Sequence, residues 1–441
     1  MKHGKAMLST ILALSLLVAT LGGCSSASQS TGSSAHSGVD NGASGSNEAK
    51  TTLQFYDWTD EKDYMQKIVD QFNAQSKDTV VKLDLISDSN NEYSNKLLVM
   101  LTGGADLDLY AVNGLSKLSL YTSKNVLLDL SKQVTSSGIN LAAYGPSFQD
   151  TLTLEKGKYF ALPYRSSAYA LFYNKDVFDK DGIPYPTQMT WDQYAQLAKK
   201  MTKQVGSDTQ WGGYVPDWEG NCFSTLQKGS NILDDNLNST KEWLECLNKL
   251  YNVDKSHMSY KEMKAEKVDW LSEFESGKVA MMPNGDWTIN EIKADISAGK
   301  CKINFDMAPL PLPDGITSPI TPGGDNTFVG IYSKSQKADA AFEFIKYLCG
   351  EKGGSIIAGN GVLPAYINDG TKQAFLNATG LAGSGYFFNA KTVSENPPVS
   401  QIDAVNKAFQ EQKDLYLLGQ QDIDKTINNF EQQRKSILAK K

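Results

Sequence analysis

The chain has 441 residues, a formal net charge of −7, and 40% apolar and 10% aromatic side chains. Its basic residues are scattered beneath that net negative charge, which excludes nucleic acid as a partner and any ligand or lipid surface recognised mainly through its own negative charge. After residue 50 about 390 residues remain, too many for one compact core and enough for two.

Lys2 and Lys5 precede an apolar run from Ala6 to Leu21 that ends in Leu21-Gly22-Gly23-Cys24. The run is shorter than the roughly 20 residues a spanning helix needs, and small residues occupy the cleavage position. Residues 1–23 are therefore expected to be a lipoprotein signal peptide, with Cys24 the lipidated first residue of the mature chain. Residues 25–50 are rich in Ser and Gly and contain no aromatic residue. They cannot bury enough apolar surface to fold, and are expected to form a tether with a root-mean-square reach of about 28 Å.

Thr52 to Tyr56 is expected to be a strand; Tyr64, Ile68, Val69 and Phe72 follow at helical spacing, and Val81, Leu83 and Leu85 alternate with Lys82 and Asp84. Tyr93, Leu97 and Leu101 mark a second helix, Leu107 to Val112 another strand, and Leu127 to Leu130 continues the alternation. The first half is thus α/β with a mainly parallel sheet. Tyr169 to Tyr173 begins a second α/β unit. Thr190-Trp191-Asp192-Gln193 has the form of a capping box, with Tyr194, Leu197, Ala198 and Met201 on the apolar face behind it. Val279 to Met282, Thr327 to Tyr332 and Ala338 to Leu348 continue the pattern, and Ile402, Val405 and Phe409 mark a helical end.

Beyond Cys24 the cysteines are Cys222, Cys246, Cys301 and Cys349, without a Cys-x-x-Cys pair, and His257 is the single histidine after the tether. A zinc site is not expected, and the sequence assigns no disulfide pairing. There is no Gly-x-Ser-x-Gly elbow or Walker phosphate loop, and one histidine leaves few ways to build a nucleophilic triad. Asp179-Lys180-Asp181-Gly182 lacks a closing Glu, and Val177 stands where a calcium loop has its first ligand, so it is read as a helix end and turn. No cofactor or metal is expected.

Several segments resemble the extracellular solute-binding proteins that serve ABC sugar importers, relatives of the maltodextrin-binding proteins. They are Phe172-Tyr173-Asn174-Lys175-Asp176-Val177-Phe178 with Met189-Thr190-Trp191-Asp192, the run from Phe274 to Met282 with Asn284-Gly285-Asp286-Trp287, and the shorter Pro309-Leu310-Pro311, Gly323-Gly324, Ala340 to Ile345 and Leu363-Pro364-Ala365. The resemblance implies a periplasmic-binding-protein-like fold of type II, two α/β lobes joined by a hinge with the ligand cleft between them. Lobe one would comprise 51–165 and about 323–383, lobe two about 168–315 and 386–441, with crossings near Tyr164 to Tyr169, Pro311 to Gly324 and Leu381 to Phe388. It further implies a monomer that is not an enzyme, held by its lipid on the outer face of a cytoplasmic membrane, with Gram-positive envelope character, and delivering a carbohydrate to ABC permease subunits. The other readings are the same fold with a peptide, glycerol phosphate or other non-sugar ligand, and a secreted carbohydrate-active enzyme built on a carboxylate pair.

A pyranose has an apolar C–H face and a rim of hydroxyls, so its site needs flat aromatic rings and planar polar groups. Trp287 with Asp286, and Trp58 with Asp57, sit at ends of expected strands, where open α/β sheets bind ligands; in the family a Trp at the position of Trp287 often stacks on sugar. Asn113, Arg165, Asp217, Trp218, Gly324, Asp325, Asn326, Tyr386 and Phe387 complete the candidate ligand-binding set. Trp191 and Trp243 are assigned to packing.

Overall fold

The computed structural model describes residues 50–87, 92–144, 157–218, 223–323 and 326–440; the signal peptide and Cys24, nearly all of the tether, Cys222, Gly324 and Asp325 lie outside these. Among the described residues twelve strands are interspersed with helices: β1 (Thr51–Trp58), β2 (Thr79–Ile86), β3 (Leu109–Asn113), β4 (Leu162–Arg165), β5 (Tyr169–Asn174), β6 (Lys203–Val205), β7 (Asp208–Gln210), β8 (Met281–Gly285), β9 (Phe305–Ala308), β10 (Ile320–Gly323), β11 (Thr327–Ile331) and β12 (Lys391–Ser394).

Strand β1 alternates as the sequence requires, burying Leu53 and Phe55 on one face. The helix Lys62–Gln75 lays Tyr64, Met65, Ile68, Val69 and Phe72 inward, and β2 returns parallel to β1 in register from Thr51↔Thr79 to Trp58↔Ile86. The first sheet has the order β2-β1-β3-β11-β4, parallel except for β11, which runs antiparallel to β3 and β4. A second, three-stranded sheet places β5 between β8 and β9, antiparallel to both. The capping box at Thr190 is present, Trp191 packs into the core against Trp243 with ring centroids at 4.7 Å, and Gly182 ends the preceding helix at φ 64°, a left-handed residue for which glycine is suited.

Buried apolar side chains fall into two clusters. The first runs from Leu53 to Tyr164 and resumes from Phe328 to Ala365; the second runs from Ala168 to Leu310 and resumes toward the C-terminus. The chain passes from one to the other between Tyr164 and Ala168, and back between Leu310 and Phe328. Phe375, on the helix Asp369–Thr379, packs in the second cluster, against Phe387 and Phe388 at 6.2 and 5.5 Å, while Thr371 of the same helix donates to the Tyr366 carbonyl at 3.0 Å, beside the first.

Cys246, Cys301 and Cys349 are free thiols. Among the described residues no helix is long and apolar enough to cross a membrane.

Candidate binding site

The ends of β1, β3, β4 and β8 converge on a cleft of about 650 Å³ between the two clusters. One wall carries Trp58, Asp60, Asp63, Tyr64 and Asn113; the other carries Tyr169, Trp287, Asn290, Glu291 and Ala294; Arg165, Ser167 and Thr327 lie where the chain crosses. A smaller hollow of about 350 Å³ near Asn174, Val177, Gly277 and Ile303 has no aromatic side chain in its wall, and so no face on which a sugar ring could lie.

Trp287 is positioned by its own chain. Strand β8 ends at Gly285, and Trp287 opens the helix Thr288–Ser297, so Asn290, Glu291 and Ala294 follow at three, four and seven residues on the same face. The indole lies flat over Gly285, where an added Cβ would come within 2.0 Å of the ring. Its edge meets Tyr169 at 5.5 Å, and Tyr169 in turn meets Phe223 at 5.1 Å. The Tyr169 hydroxyl donates to Glu395 at 3.1 Å. On the opposite wall Trp58 is held edge-on by Tyr93 at 5.2 Å, whose hydroxyl donates to the carbonyl of Ala111 at 2.7 Å. Gly323 also requires the absence of a side chain: a Cβ there would meet the Ser167 carbonyl oxygen at 2.2 Å, where β10 passes the crossing.

Below the cleft lies a buried charge cluster. Arg165 Nη1 donates to Glu61 Oε1 at 3.1 Å, and Nη2 stands 3.9 Å from Asp286 Oδ2. Glu61 also accepts from the Tyr164 hydroxyl, and Asp286 from the Ala168 N–H at 3.3 Å. The guanidinium thus ties β4 and the start of the first long helix to the end of β8, joining the two clusters at the first crossing.

Four sequence candidates therefore line the cleft: Trp58, Asn113, Arg165 and Trp287. The rest of the described set does not. Asp57 is fully buried, because on a strand of period two it shares the inward face with Leu53 and Phe55. Asp286 is buried beneath Trp287 and holds the crossing. Asn326 accepts from the Ser166 hydroxyl at 3.4 Å and, through its carbonyl, from the Gly114 N–H at 3.1 Å. Asp217 is ion-paired to Lys264 at 2.7 Å, and Trp218 stands half exposed beside Trp270, neither on the cleft wall. Tyr386 and Phe387 pack into the second cluster, since the short helix Tyr386–Asn389 turns them inward. Gly324 and Asp325 lie outside the described residues. Sequence reasoning missed Asp60, Asp63, Asn290 and Glu291; the last two were accessible from the helical spacing after Trp287.

Asp57 has one oxygen accepting from the Trp58 N–H at 2.9 Å, while the other is buried without a donor. Burial, and then the neighbouring Glu61, hold its carboxyl well above the usual carboxylate range. Because the folded state raises this pKa, the stability it contributes is complete below about pH 4 and is lost as pH rises through the folded value. Asp57→Asn supplies a permanent N–H donor. In urea unfolding at several pH values, the variant is expected to gain on the wild type as pH rises from 4 to 8; a constant difference would mean that Asp57 is ionised throughout.

Comparison with known proteins agrees with this geometry. The family of bacterial extracellular solute-binding proteins matches residues 57–355. A sugar transporter of Rhizobium etli, solved in an open conformation, superposes with a TM-score of 0.79 at 25% identity, covering 88% of this chain and 99% of that one. An ABC substrate-binding protein of Listeria monocytogenes in complex with cycloalternan has the same fold, with a TM-score of 0.72 at 22% identity over 88% and 99% of the two chains. An arabinooligosaccharide-binding protein of Halalkalibacterium halodurans is 28% identical over 108 residues, 23% of each chain. The alignments with the curated relatives span 23% to 62% of those relatives' length. With a cleft between two α/β halves, and a family match across both, the chain belongs to the bacterial extracellular solute-binding proteins, a family that binds its solutes and does not convert them.

Proposed function

We propose that the chain is the carbohydrate receptor of an ABC importer, lipid-anchored through Cys24 and delivering its sugar to a membrane permease. The two clusters are the cores of two lobes, one formed by 51–165 and about 326–365, the other by about 168–310 and 369–440. They close on the solute by rotation about the segments that connect them, and the sugar contributes only its differential affinity for the closed state.

The observation that carries the reading is the cleft's chemistry. A partly open indole faces a wall of carboxylates and amides, the combination that a pyranose face and its hydroxyl rim require. Glycerol phosphate fits this wall poorly. The described lining contains no lysine, and its one guanidinium, Arg165, is already committed to Glu61 and Asp286. Relatives named for arabinooligosaccharide and maltotriose point the same way, while another, 25% identical over 60% of this chain, is named for sn-glycerol 3-phosphate.

A thermal-shift screen of the chain against mono- and oligosaccharides tests the proposal. Ligand at 100 times its Kd adds about 2.7 kcal/mol of stability. Trp287→Ala is expected to weaken the responding sugar by about 2 kcal/mol, roughly 30-fold in Kd. Absence of a shift with any sugar would move the assignment to a non-sugar solute.

A further inference from the structure

Trp218 is the one tryptophan of the chain left exposed, at 45%. Strand pairing places it. The segment that leads to it runs parallel to β8: Trp211 is bridged to Val279, its carbonyl accepts from the Ala280 N–H at 2.9 Å, and the Tyr214 N–H donates to the Met281 carbonyl at 3.0 Å. The segment therefore leaves the sheet at the same end as β8, the end at which Trp287 opens its helix, and open α/β sheets bind ligands at that end. Its last residues are anchored. The Val215 carbonyl accepts from the Tyr251 hydroxyl, the Asp217 carbonyl from Lys413 Nζ, and the Asp217 carboxylate from Lys264 Nζ at 2.7 Å. Farther along the chain Phe223 meets Tyr169 at 5.1 Å, and Tyr169 meets the edge of Trp287 at 5.5 Å, so the chain that carries Trp218 returns to the aromatic group of the cleft wall.

Trp270 stands edge-on to Trp218 with ring centroids 6.4 Å apart, and its helix, Trp270–Glu275, packs against Thr288–Ser297, the helix that lines the cleft behind Trp287. Trp191 and Trp243 bury their rings in the core, whereas a fixed backbone holds the Trp218 ring out to water beside a cleft, and exposed apolar surface in such a place marks a ligand contact. The charge next to it is already neutralised, because Lys264 pairs with Asp217. What remains is an uncharged ring face, the surface that the apolar side of a pyranose covers.

Resting on the carbohydrate reading above, we propose that Trp218, edged by Trp270, is a second stacking platform just outside the walled cleft, and that the solute is a linear oligosaccharide with one ring on Trp287 and its chain continuing over the rim onto Trp218. Both platforms belong to lobe two, which would hold the chain before the lobes close.

The test is calorimetric titration of the full chain with mono- to tetrasaccharides of three linear series: α-1,4-linked glucose, β-1,4-linked xylose and α-1,5-linked arabinose. In the series that binds, affinity is expected to rise at least about 10-fold from the disaccharide to the tetrasaccharide. Trp218→Ala should cut that ratio to less than about threefold and Trp218→Phe, which keeps a ring, should restore part of it, whereas Trp287→Ala weakens every member of the series. A mono- or disaccharide that binds as tightly as its longer homologues, or a length dependence that survives Trp218→Ala, would overturn the inference and leave the receptor reading intact. Binding of no sugar in any series would remove the receptor reading, and this inference with it.

Discussion

Replacing Arg165 by alanine is expected to destabilise the protein by about 3–5 kcal/mol, because it strands two buried carboxylates that now share one guanidinium. Glu61 would keep the Tyr164 hydroxyl and the neighbouring Tyr64, and Asp286 the Ala168 N–H and the nearby Ser167, none of them a counter-charge. A buried carboxylate without a counter-charge takes up a proton if it can, so its folded pKa rises and the stability of the variant falls as pH increases. The loss should accordingly be larger at pH 8 than at pH 5.5 in urea unfolding. Arg165→Lys should recover only part of it, since one ammonium replaces a fork whose two arms reach Glu61 at 3.1 Å and Asp286 at 3.9 Å. A loss below about 1 kcal/mol at both pH values would show that water already solvates the cluster. Because the same side chain stands in the floor of the cleft at the first crossing, Arg165→Lys is also the variant in which ligand affinity and stability should change together.

Acid should unfold the wild type early, and His257 is the reason. The ring is buried, with the Tyr194 hydroxyl 2.9 Å from Nε2 and the Ser256 hydroxyl 3.0 Å from Nδ1, and no carboxylate among these partners. Burial lowers its pKa from the usual 6.5 to about 3. The unfolded chain therefore binds a proton through a range in which the folded chain does not, and stability present above pH 6.5 is lost as pH falls, at about 1.4 kcal/mol per pH unit. Between pH 6.5 and 4 the expected loss is about 3 kcal/mol. His257→Gln keeps a donor and an acceptor in the same place without the charge. Its stability curve should lie above that of the wild type, relative to their values at pH 7, by about this amount at pH 4; parallel curves would show that the imidazole finds a route to charge inside the fold. Gly213 explains why the pocket holds the ring closely, since an added Cβ there would come within 2.5 Å of Nε2.

Neither group was assigned its role from the sequence, and the reason differs in each case. His257 was singled out as the one histidine after the tether, but a histidine's protonation depends on whether water reaches it, which is settled by Tyr194 on a helix some sixty residues earlier. Arg165 falls at an expected crossing and among the candidate ligand-binding residues. In the structure it lines the cleft and also pairs with Glu61 and Asp286, from two different parts of the chain.

Local order was determined by the sequence itself. The alternation of β1, the helical spacing after Tyr64, the capping box at Thr190 and the helix Ala338–Leu348 all follow from periodicities of two and 3.6 residues and from side chains that satisfy nearby backbone groups. Trp287 belongs with these, since the end of a strand, a glycine and the first turn of a helix are local features. Only the tertiary structure decided which polar residue beside each cleft tryptophan faces solute and which faces core. Asp57 and Asp286 are neighbours of Trp58 and Trp287 in sequence, yet strand parity and the approach of β4 turn both carboxylates inward. Asp60 and Glu291, which nothing in the sequence brings together, face each other because two separately packed cores hold their walls on opposite sides of one cleft.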